Sequence, residues 1–334
     1  MLVLGIETTC DETAVSIVED GKKILVNLVA TQEVHEVYGG VVPELACRRH
    51  IDMLKPLVEK ACETVPLSKI DLIAVAHAPG LIGALLIGLN FAKTLSMATG
   101  IPFVGVNHIE AHLYASMMQQ EPSLPALGIV LSGGHTELIK IHELGHYERI
   151  GKTVDDAIGE AFDKVAKLLD LPYPGGPQIE QLAKKGKAHL PFKPGRVKQN
   201  PYAFSFSGLK TAVLYQVKGQ DGTKRMQSTL SMQEKADVAA SFQEAAFDDV
   251  CKKAVRASQE FSLRCMVLGG GVTANLRLRE KLSEKSELPL FFPPPGLSLD
   301  NGAMIAGLGY HIFKKRGGDP LDLLPHPRID FVSN

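Results

Sequence analysis

The sequence predicts an α/β protein made of two related halves that face each other across a cleft. Three observations lead to this prediction: the length of 334 residues, the alternation of helical and strand patterns, and a similarity between two distant segments. The length is more than one small core needs and indicates two domains or one large two-lobed unit. Alternating helical and strand patterns are typical of α/β architecture.

Two segments share a frame of strand, short hydroxyl-rich turn and second strand. They are MLVLGIETTCDETAVSIVED at the start of the chain and PALGIVLSGGHTELIKIHE from residue 125. Gly5 corresponds to Gly128 and Thr13 to Thr136, so both copies place the polar turn at the same distance from the strand. This common spacing indicates that the two halves are duplicates.

The composition excludes several classes of protein. With 45% hydrophobic and 22% charged residues, the chain is typical of folded globular proteins rather than disordered ones. A net charge of −1 creates no global attraction for nucleic acid, so an RNA partner would need local basic patches. The five cysteines form no C-x-x-C pair, and we expect reduced thiols in a cytoplasmic protein without a signal peptide.

The most apolar stretch is APGLIGALLIGLNFAK, residues 78–93. It is shorter than the roughly 20 apolar residues that a helix needs to cross a bilayer. We therefore expect a buried helix and no membrane span.

Two histidines stand four apart in the helix-like stretch VNHIEAHLYA. Residues at i and i+4 share one helical face, so His108 and His112 could bind one metal ion, although packing histidines are more common. Ile109 occupies the position where the H-E-x-x-H protease signature needs a glutamate, which disfavours a metallopeptidase.

Glycine-rich turns suggest where a nucleotide could bind. The turn SGGHT, residues 132–136, could wrap an anion with its backbone N–H groups or be a plain hairpin turn. The run MVLGGGVTANLRLREKL, residues 266–282, reads as strand, glycine turn and helix, without the G-x-G-x-x-G fingerprint. The GKT at residues 151–153 lacks the P-loop glycine, because His146 stands in its place.

A helical pattern starts after Asp300, at the end of a proline run. Asp300 could be the N-cap of this helix, as aspartate often is. Alternatively, its carboxylate could complete a three-ligand set with His108 and His112, a set that suits catalytic zinc or ferrous iron.

The chain closely resembles, over nearly its whole length, the TsaD family of tRNA threonylcarbamoyladenosine transferases, which has archaeal and eukaryotic counterparts in the KEOPS complex. The resemblance lies in GIETTCDETAVSIV, YGGVVPELACRRH, APGLIGALLIGL, NHIEAH, LSGGHTEL, DDAIGEAFDKVAKLLDLPYPGGP, FSFSGLKTAV, GGGVTANLRLR and DNGAMIA. It implies an actin/Hsp70/sugar-kinase-like (ASKHA) fold of two duplicated lobes around a central cleft. Lobe I would comprise residues 1–120 with a C-terminal helix at about 300–325, and lobe II, which would bind the adenylate, residues 121–299.

The resemblance also implies a reaction. The threonylcarbamoyl group would move from threonylcarbamoyl-AMP to N6 of the adenosine just 3′ of the anticodon, in tRNAs that read codons beginning with A. AMP would leave, and the modified nucleoside t6A would form.

Matched residue by residue, the resemblance implies metal ligands at His108, His112 and Asp300. They would bind one divalent ion per subunit, with Fe²⁺ favoured and Zn²⁺ possible. The implied substrate-binding residues are Val130, Leu131, Ser132, Gly133, Gly134, Asp163, Gly176 and Asn275.

Several of these residues also have ordinary structural interpretations. Asp163 could be a solvated helix residue, Gly176 a turn former and Asn275 a helix cap. Glu12, in the turn CDET, is our candidate for proton handling from the facing lobe, and the alternative is a solvated acid without a role. In the mechanism we expect, the N–H groups of Ser132 to Gly134 stabilise developing charge opposite the metal.

The family implies several partners. They are tRNA, a TsaB-like inactive paralogue, a TsaE-like P-loop ATPase and a synthase of the TsaC or Sua5 type that supplies the adenylate. The basic clusters that could contact tRNA phosphates are CRRH (47–50), KKGK (184–187), FKPGRVK (192–198) and LRLREK (276–281).

Two competing functions keep the same fold. A kinase or ATPase would need a catalytic aspartate and Mg²⁺ near the phosphates, whereas this chain offers a histidine pair. A non-catalytic scaffold subunit would be expected to lack His108, His112 and Asp300.

Overall fold

The computed structural model describes residues 1–219, 230–328 and 332. The strands are β1 Leu2–Glu7, β2 Glu12–Glu19, β3 Lys23–Thr31, β4 Leu72–Ala78, β5 Phe103–Asn107, β6 Ala126–Leu131, β7 Thr136–Glu143, β8 His146–Lys152, β9 Met266–Gly269 and β10 Leu290–Phe291. The helices are α1 Pro43–Thr64, α2 Ile82–Thr99, α3 His108–Met117, α4 Ile158–Leu168, α5 Gly175–Ala183, α6 Ser207–Lys218, α7 Met232–Glu260, α8 Leu276–Lys285 and α9 Gly302–Arg316. Short 3₁₀ turns lie at Glu33–Tyr38, Leu67–Lys69 and Gly271–Ala274.

The chain divides into two compact units. Of the described residues, unit 1 contains Met1–Pro122 and those that follow Phe291, and unit 2 contains those within Ser123–Phe291. Residues 292–299, which the sequence analysis placed in lobe II, therefore belong to unit 1.

The two units have sheets of the same topology. Unit 1 has the strand order β3-β2-β1-β4-β5, and unit 2 has the matching order β8-β7-β6-β9-β10. In each sheet the first three strands form an antiparallel meander and the last two run parallel to the first. The duplication predicted from the two similar segments is thus present in the fold.

Helices cover both faces of the sheet of unit 1. Side chains alternate along β1, so Leu4 and Ile6 face α1 and α2, while Gly5 faces α9. A Cβ atom on Gly5 would lie 2.1 Å from the carbonyl oxygen of Gly302, so only glycine allows α9 to cross the strand this closely. This crossing brings the start of α9 to β1.

Helix α9 spans Gly302–Arg316 and is therefore shorter than the expected helix at about 300–325. Gly317 follows at φ 78°, a left-handed conformation that ends helices. The chain then runs beside β5, where Asp319 N donates to Phe103 O at 2.8 Å and Asp319 Oδ2 accepts from Gly105 N at 2.8 Å. These residues protect the edge of the sheet.

Helix α2 contains the apolar stretch that was predicted to be a buried helix. Its inner face, including Leu85 and Leu89, is buried against β4 and α1, whereas Ile82, Leu86 and Met97 on its outer face are exposed. By length and composition alone, α2 is also the one helix of the described residues that could cross a membrane. All five cysteines are free thiols, as expected.

Candidate functional site

Helix α3 begins directly after β5 and holds both histidines. Asn107 is its N-cap, and the side-chain oxygen accepts from Ile109 N at 2.9 Å and from Glu110 N at 3.1 Å. His108 and His112 lie one turn apart with ring centroids 4.5 Å from each other, and both are buried. The helix predicted from VNHIEAHLYA is therefore present.

Asp300 lies beside the histidine pair, although it is almost two hundred residues away in sequence. Its Oδ1 is 3.1 Å from His112 Nε2 and 3.6 Å from His108 Nε2. The N-cap of α9 is Asn301, whose side-chain oxygen accepts from Met304 N at 2.9 Å. The interpretation of Asp300 as this cap was wrong, and its carboxylate is directed to the histidines instead.

The donor set of these three residues fits a divalent metal ion. One ligand atom from each residue lies within 4.8 Å of the others, and among the described residues this is the one such group of histidine, cysteine and acidic side chains. Both ring nitrogens of His112 are buried and form no hydrogen bond in the described chain, since the 3.1 Å contact between Nε2 and Asp300 Oδ1 is a charge contact without hydrogen-bond geometry. Because an unpartnered buried polar atom costs about 1–3 kcal/mol, this pattern is typical of a ligand-binding group.

Glu7 lies behind His108, at the end of β1. Its Oε2 is 3.0 Å from His108 Nδ1, and the hydroxyl of Thr9 is 3.3 Å from the same nitrogen. Burial alone would lower the pKa of His108, but the carboxylates of Glu7 and Asp300 outweigh it and raise the pKa to about 9. A bound cation would have to displace this proton. The sequence analysis missed Glu7 and Thr9, because no local signal shows that His108, on α3, lies beside the end of β1.

Glu12 opens β2 in the same unit and is half-buried. Burial, followed by the nearby carboxylates of Asp300 and Asp11, raises the pKa of Glu12 well above its usual range. This raised pKa favours the protonated carboxyl group of Glu12, and a cation bound nearby would favour the ionised form. Glu12 is thus not fully solvated, and its role in proton handling stays a prediction.

In unit 2, the turn after β6 holds the first group of predicted substrate contacts. Val130 and Leu131 are fully buried at the end of β6, and Ser132 to His135 connect it to the antiparallel β7. The turn is thus a hairpin, which was one of the two interpretations. Ser132 N donates to His135 O at 2.9 Å, so the N–H of Ser132 is already used within the turn.

Gly133 and Gly134 have open space where side chains would be, so their backbone is accessible. The carboxyl end of the parallel strand β9 lies beside them, since Gly269 pairs with Val130. Ligands of α/β sheets commonly bind at such strand ends. Gly159, near the start of α4, donates its N–H to Ser132 O at 3.2 Å, and this hydrogen bond links the turn to the helix.

The other predicted substrate contacts lie on helices of the same unit. Asp163 lies within α4, and its Oδ1 accepts from Gly175 N at 2.8 Å, so it ties α4 to the start of α5 and is not simply a solvated helix residue. Gly176 belongs to α5 rather than to a turn and faces open space. Asn275 is the N-cap of α8, as its ordinary interpretation predicts, because its oxygen accepts from Leu278 N at 3.2 Å. Substrate binding by these three residues stays a prediction.

Comparison with known structures places the fold. HypF of T. kodakarensis superposes with a TM-score of 0.63 at 16% identity, covering 94% of this chain and 48% of HypF. The ROK hexokinase from Thermus thermophilus superposes with a TM-score of 0.51 at 16% identity, covering 95% and 100%. The chain spans about half the length of HypF and has the α/β fold of the actin/Hsp70/sugar-kinase class.

Comparison of sequences places the chain within this class. The model of the family TsaD, tRNA N6-adenosine threonylcarbamoyltransferase, matches residues 23–307. The tRNA N6-adenosine threonylcarbamoyltransferase of Protochlamydia amoebophila (strain UWE25) is 56% identical over 341 aligned residues, which cover 100% of this chain and 99% of that protein. The chain belongs to the TsaD family.

Proposed function

We propose that the chain transfers the threonylcarbamoyl group from threonylcarbamoyl-AMP to N6 of the adenosine 3′ of the anticodon, in tRNAs that read codons beginning with A. One observation carries this proposal: His108, His112 and Asp300 converge in a chain of this family, and both ring nitrogens of His112 are buried without a partner in the described residues. A kinase or a non-catalytic scaffold is disfavoured, because neither function needs this group.

One divalent ion per subunit would be bound by His108, His112 and Asp300. Two imidazoles and a carboxylate suit both Fe²⁺ and Zn²⁺, and the family favours Fe²⁺. When bound, the ion would supply Lewis-acid stabilisation to an oxygen of the donor. The helix start at Asn107 and the crossing of α9 over Gly5 hold the three side chains in place before any substrate arrives.

The hairpin turn after β6 would bind the AMP part of the donor. Gly133 and Gly134 are exposed and have open space where side chains would be, whereas the N–H of Ser132 donates to His135 O within the turn. We therefore narrow the expected anion contact to the two glycines. The adenine amine is a weak nucleophile, so the rate must come from orientation and charge stabilisation, while AMP is a good leaving group.

Transfer RNA would bind mainly through the loop that links α5 to α6. Its exposed cations Lys185, Lys187, Lys193, Arg196 and Lys198 form no salt bridge with any described residue.

The cluster LRLREK, by contrast, is largely neutralised. Arg277 and Lys281 both bind Glu244, and Lys281 also lies 3.1 Å from Asp248. Since phosphate binding needs cations that are not already paired, we favour residues 184–198 over residues 276–281.

We further propose the family's protein partners: a TsaB-like paralogue, a TsaE-like ATPase and a TsaC- or Sua5-type synthase, all in the cytoplasm. The exposed apolar residues Ile82, Leu86 and Met97 lie on one stripe of α2 and support a protein partner for unit 1.

The proposed function is tested by transfer of labelled threonine to unmodified tRNA. The mixture contains the chain, ATP, bicarbonate, the synthase, the paralogue and the ATPase, and each component is omitted in turn. We expect label in tRNA only with this chain present, loss of label after chelation, and recovery with Fe²⁺ or Zn²⁺. A complete mixture that leaves tRNA unlabelled, while a known family member labels it, would refute the proposal.

Replacement of Glu12 with Gln tests proton handling. Because Gln cannot exchange a proton, we expect kcat for transfer to fall about 10²–10⁴-fold while tRNA binding stays unchanged. Single-turnover transfer across a range of pH measures this effect. An unchanged rate and pH profile would remove Glu12 from the reaction.

A further inference from the structure

We infer that Glu7 is a positioning residue for the metal centre, because it fixes the tautomer and the orientation of the His108 ring. This inference rests on the proposed function, since it concerns the ion that His108, His112 and Asp300 would bind. It assigns a role to a side chain that touches neither the ion nor the substrate.

Both carboxylate oxygens of Glu7 have a hydrogen-bond partner, so the position of the side chain is fixed. Oε2 lies 3.0 Å from His108 Nδ1, and Oε1 accepts from Thr9 N at 2.6 Å. The side chain is fully buried at the end of β1, so no solvent competes for these contacts. A buried carboxyl group is costly unless its oxygens have hydrogen-bond partners, and His108 Nδ1 and Thr9 N are these partners.

This contact determines which nitrogen of His108 is available to a ligand. The carboxylate oxygen of Glu7 accepts and the ring N–H donates, so Nδ1 is the nitrogen of His108 that carries the hydrogen. The other nitrogen, Nε2, faces Asp300 Oδ1 at 3.6 Å. In this tautomer His108 presents the lone pair of Nε2 to a cation. A carboxylate behind a ligating imidazole also raises its basicity and restricts rotation of the ring.

His112 has no comparable support, because neither of its nitrogens has a hydrogen-bond partner among the described residues. The two histidines are therefore not equivalent. Glu7 prepares His108 for binding, whereas His112 has no carboxylate behind its Nδ1 and contacts only Asp300, through Nε2, among the acids of the described chain.

The test compares Glu7→Ala and Glu7→Gln with the matched control Thr8→Val. Thr8 is buried in the same turn, but its hydroxyl donates to Ala84 O at 3.0 Å and does not touch His108. The affinity for Zn²⁺ is measured by competition with a chromophoric chelator. The visible spectrum of the Co²⁺-loaded protein reports the ligand field, and thermal unfolding of the metal-free protein reports stability.

We expect Glu7→Ala to weaken Zn²⁺ binding about 10–100-fold and to change the Co²⁺ spectrum. The Zn²⁺ affinity of Glu7→Gln should lie between those of Glu7→Ala and the wild type. The reason is that the Gln amide can accept from or donate to His108 Nδ1 and so permits either tautomer of the ring. Thr8→Val should lower the melting temperature and leave both metal readouts unchanged. If Glu7→Ala does not fold, the Zn²⁺ affinity and the Co²⁺ spectrum of Glu7→Gln test the role of Glu7.

Three results would overturn the inference. Zn²⁺ affinity and the Co²⁺ spectrum could be unchanged in both Glu7 variants, which refutes the role of Glu7 but leaves the metal centre intact. Thr8→Val could weaken binding as much as the Glu7 variants do, which would indicate general loosening of the turn. Wild-type protein that binds neither Zn²⁺ nor Fe²⁺ would refute the proposed metal centre, and this inference with it.

Discussion

Replacing His112 with alanine is expected to abolish threonylcarbamoyl transfer, with a loss of about a thousandfold or more. The reason is that Lewis-acid stabilisation by a bound metal is worth several kcal/mol, and each 1.4 kcal/mol corresponds to about tenfold in rate. Two ligands, His108 and Asp300, would remain, and they are too few for a stable site. Transfer of labelled threonine and metal content per subunit are the two measurements.

The stability of the metal-free variant is the informative control. His112→Ala removes packing but also removes two buried nitrogens without partners in the described chain, so these effects offset each other. We expect the free energy of unfolding to change by less than about 2 kcal/mol. His311→Ala removes another imidazole of unit 1, which contacts Tyr114 Oη at 2.9 Å, and should leave transfer intact. Full activity of His112→Ala would mean that the group has no catalytic role.

Much of the fold could be predicted because duplicated strands leave a duplicated pattern. The frame shared by residues 1–20 and 125–143 corresponds to the hairpins β1–β2 and β6–β7, and both sheets continue with the same strand order. Period-two alternation and a polar turn are local signals, and they survive when sequence identity is low. The rejection of a P-loop at GKT was also correct, because Gly151 and Lys152 end strand β8.

The assembly of the metal group could not be predicted from spacing. Asp300 reaches the histidines only because α9 crosses β1 at Gly5, and this close approach depends on tertiary packing. The sequence also offered two adjacent cap residues, Asp300 and Asn301. Only the backbone conformation decides that Asn301 forms the cap and that Asp300 is directed elsewhere.

Glu7 and Ser132 show a second limit of prediction from the sequence, which is that hydrogen-bond partners are not visible in it. A glutamate at a strand end is usually solvated, and nothing local indicates that α3 brings His108 within 3.0 Å of it. Likewise, a glycine turn suggests accessible N–H groups, yet the N–H of Ser132 is used by His135 O. The resemblance identifies the residues of a site, whereas hydrogen-bond partners determine what each residue can still do.

The basic clusters show most clearly that the sequence does not reveal which side chains already have partners. They lead to the second large prediction. The cations of residues 184–198 and of residues 276–281 look alike in sequence, but within the described part of the chain only the second group forms salt bridges with acids of α7. Exchange of four lysines of the first group for glutamine should weaken tRNA binding by at least about tenfold near 0.1 M salt. The four positions are Lys185, Lys187, Lys193 and Lys198.

The salt dependence of binding separates phosphate contacts from general charge. Each lost contact lowers the slope of log K against log salt by about 0.7–0.9, so four contacts would lower it by about 3. The matched control exchanges four exposed lysines that already have acidic partners, and these are Lys22, Lys23, Lys55 and Lys60. Both variants lose the same charge, but only the first should show a shallower dependence of log K on log salt concentration. Equal losses would mean that tRNA responds to net charge and that the loop is not its binding surface.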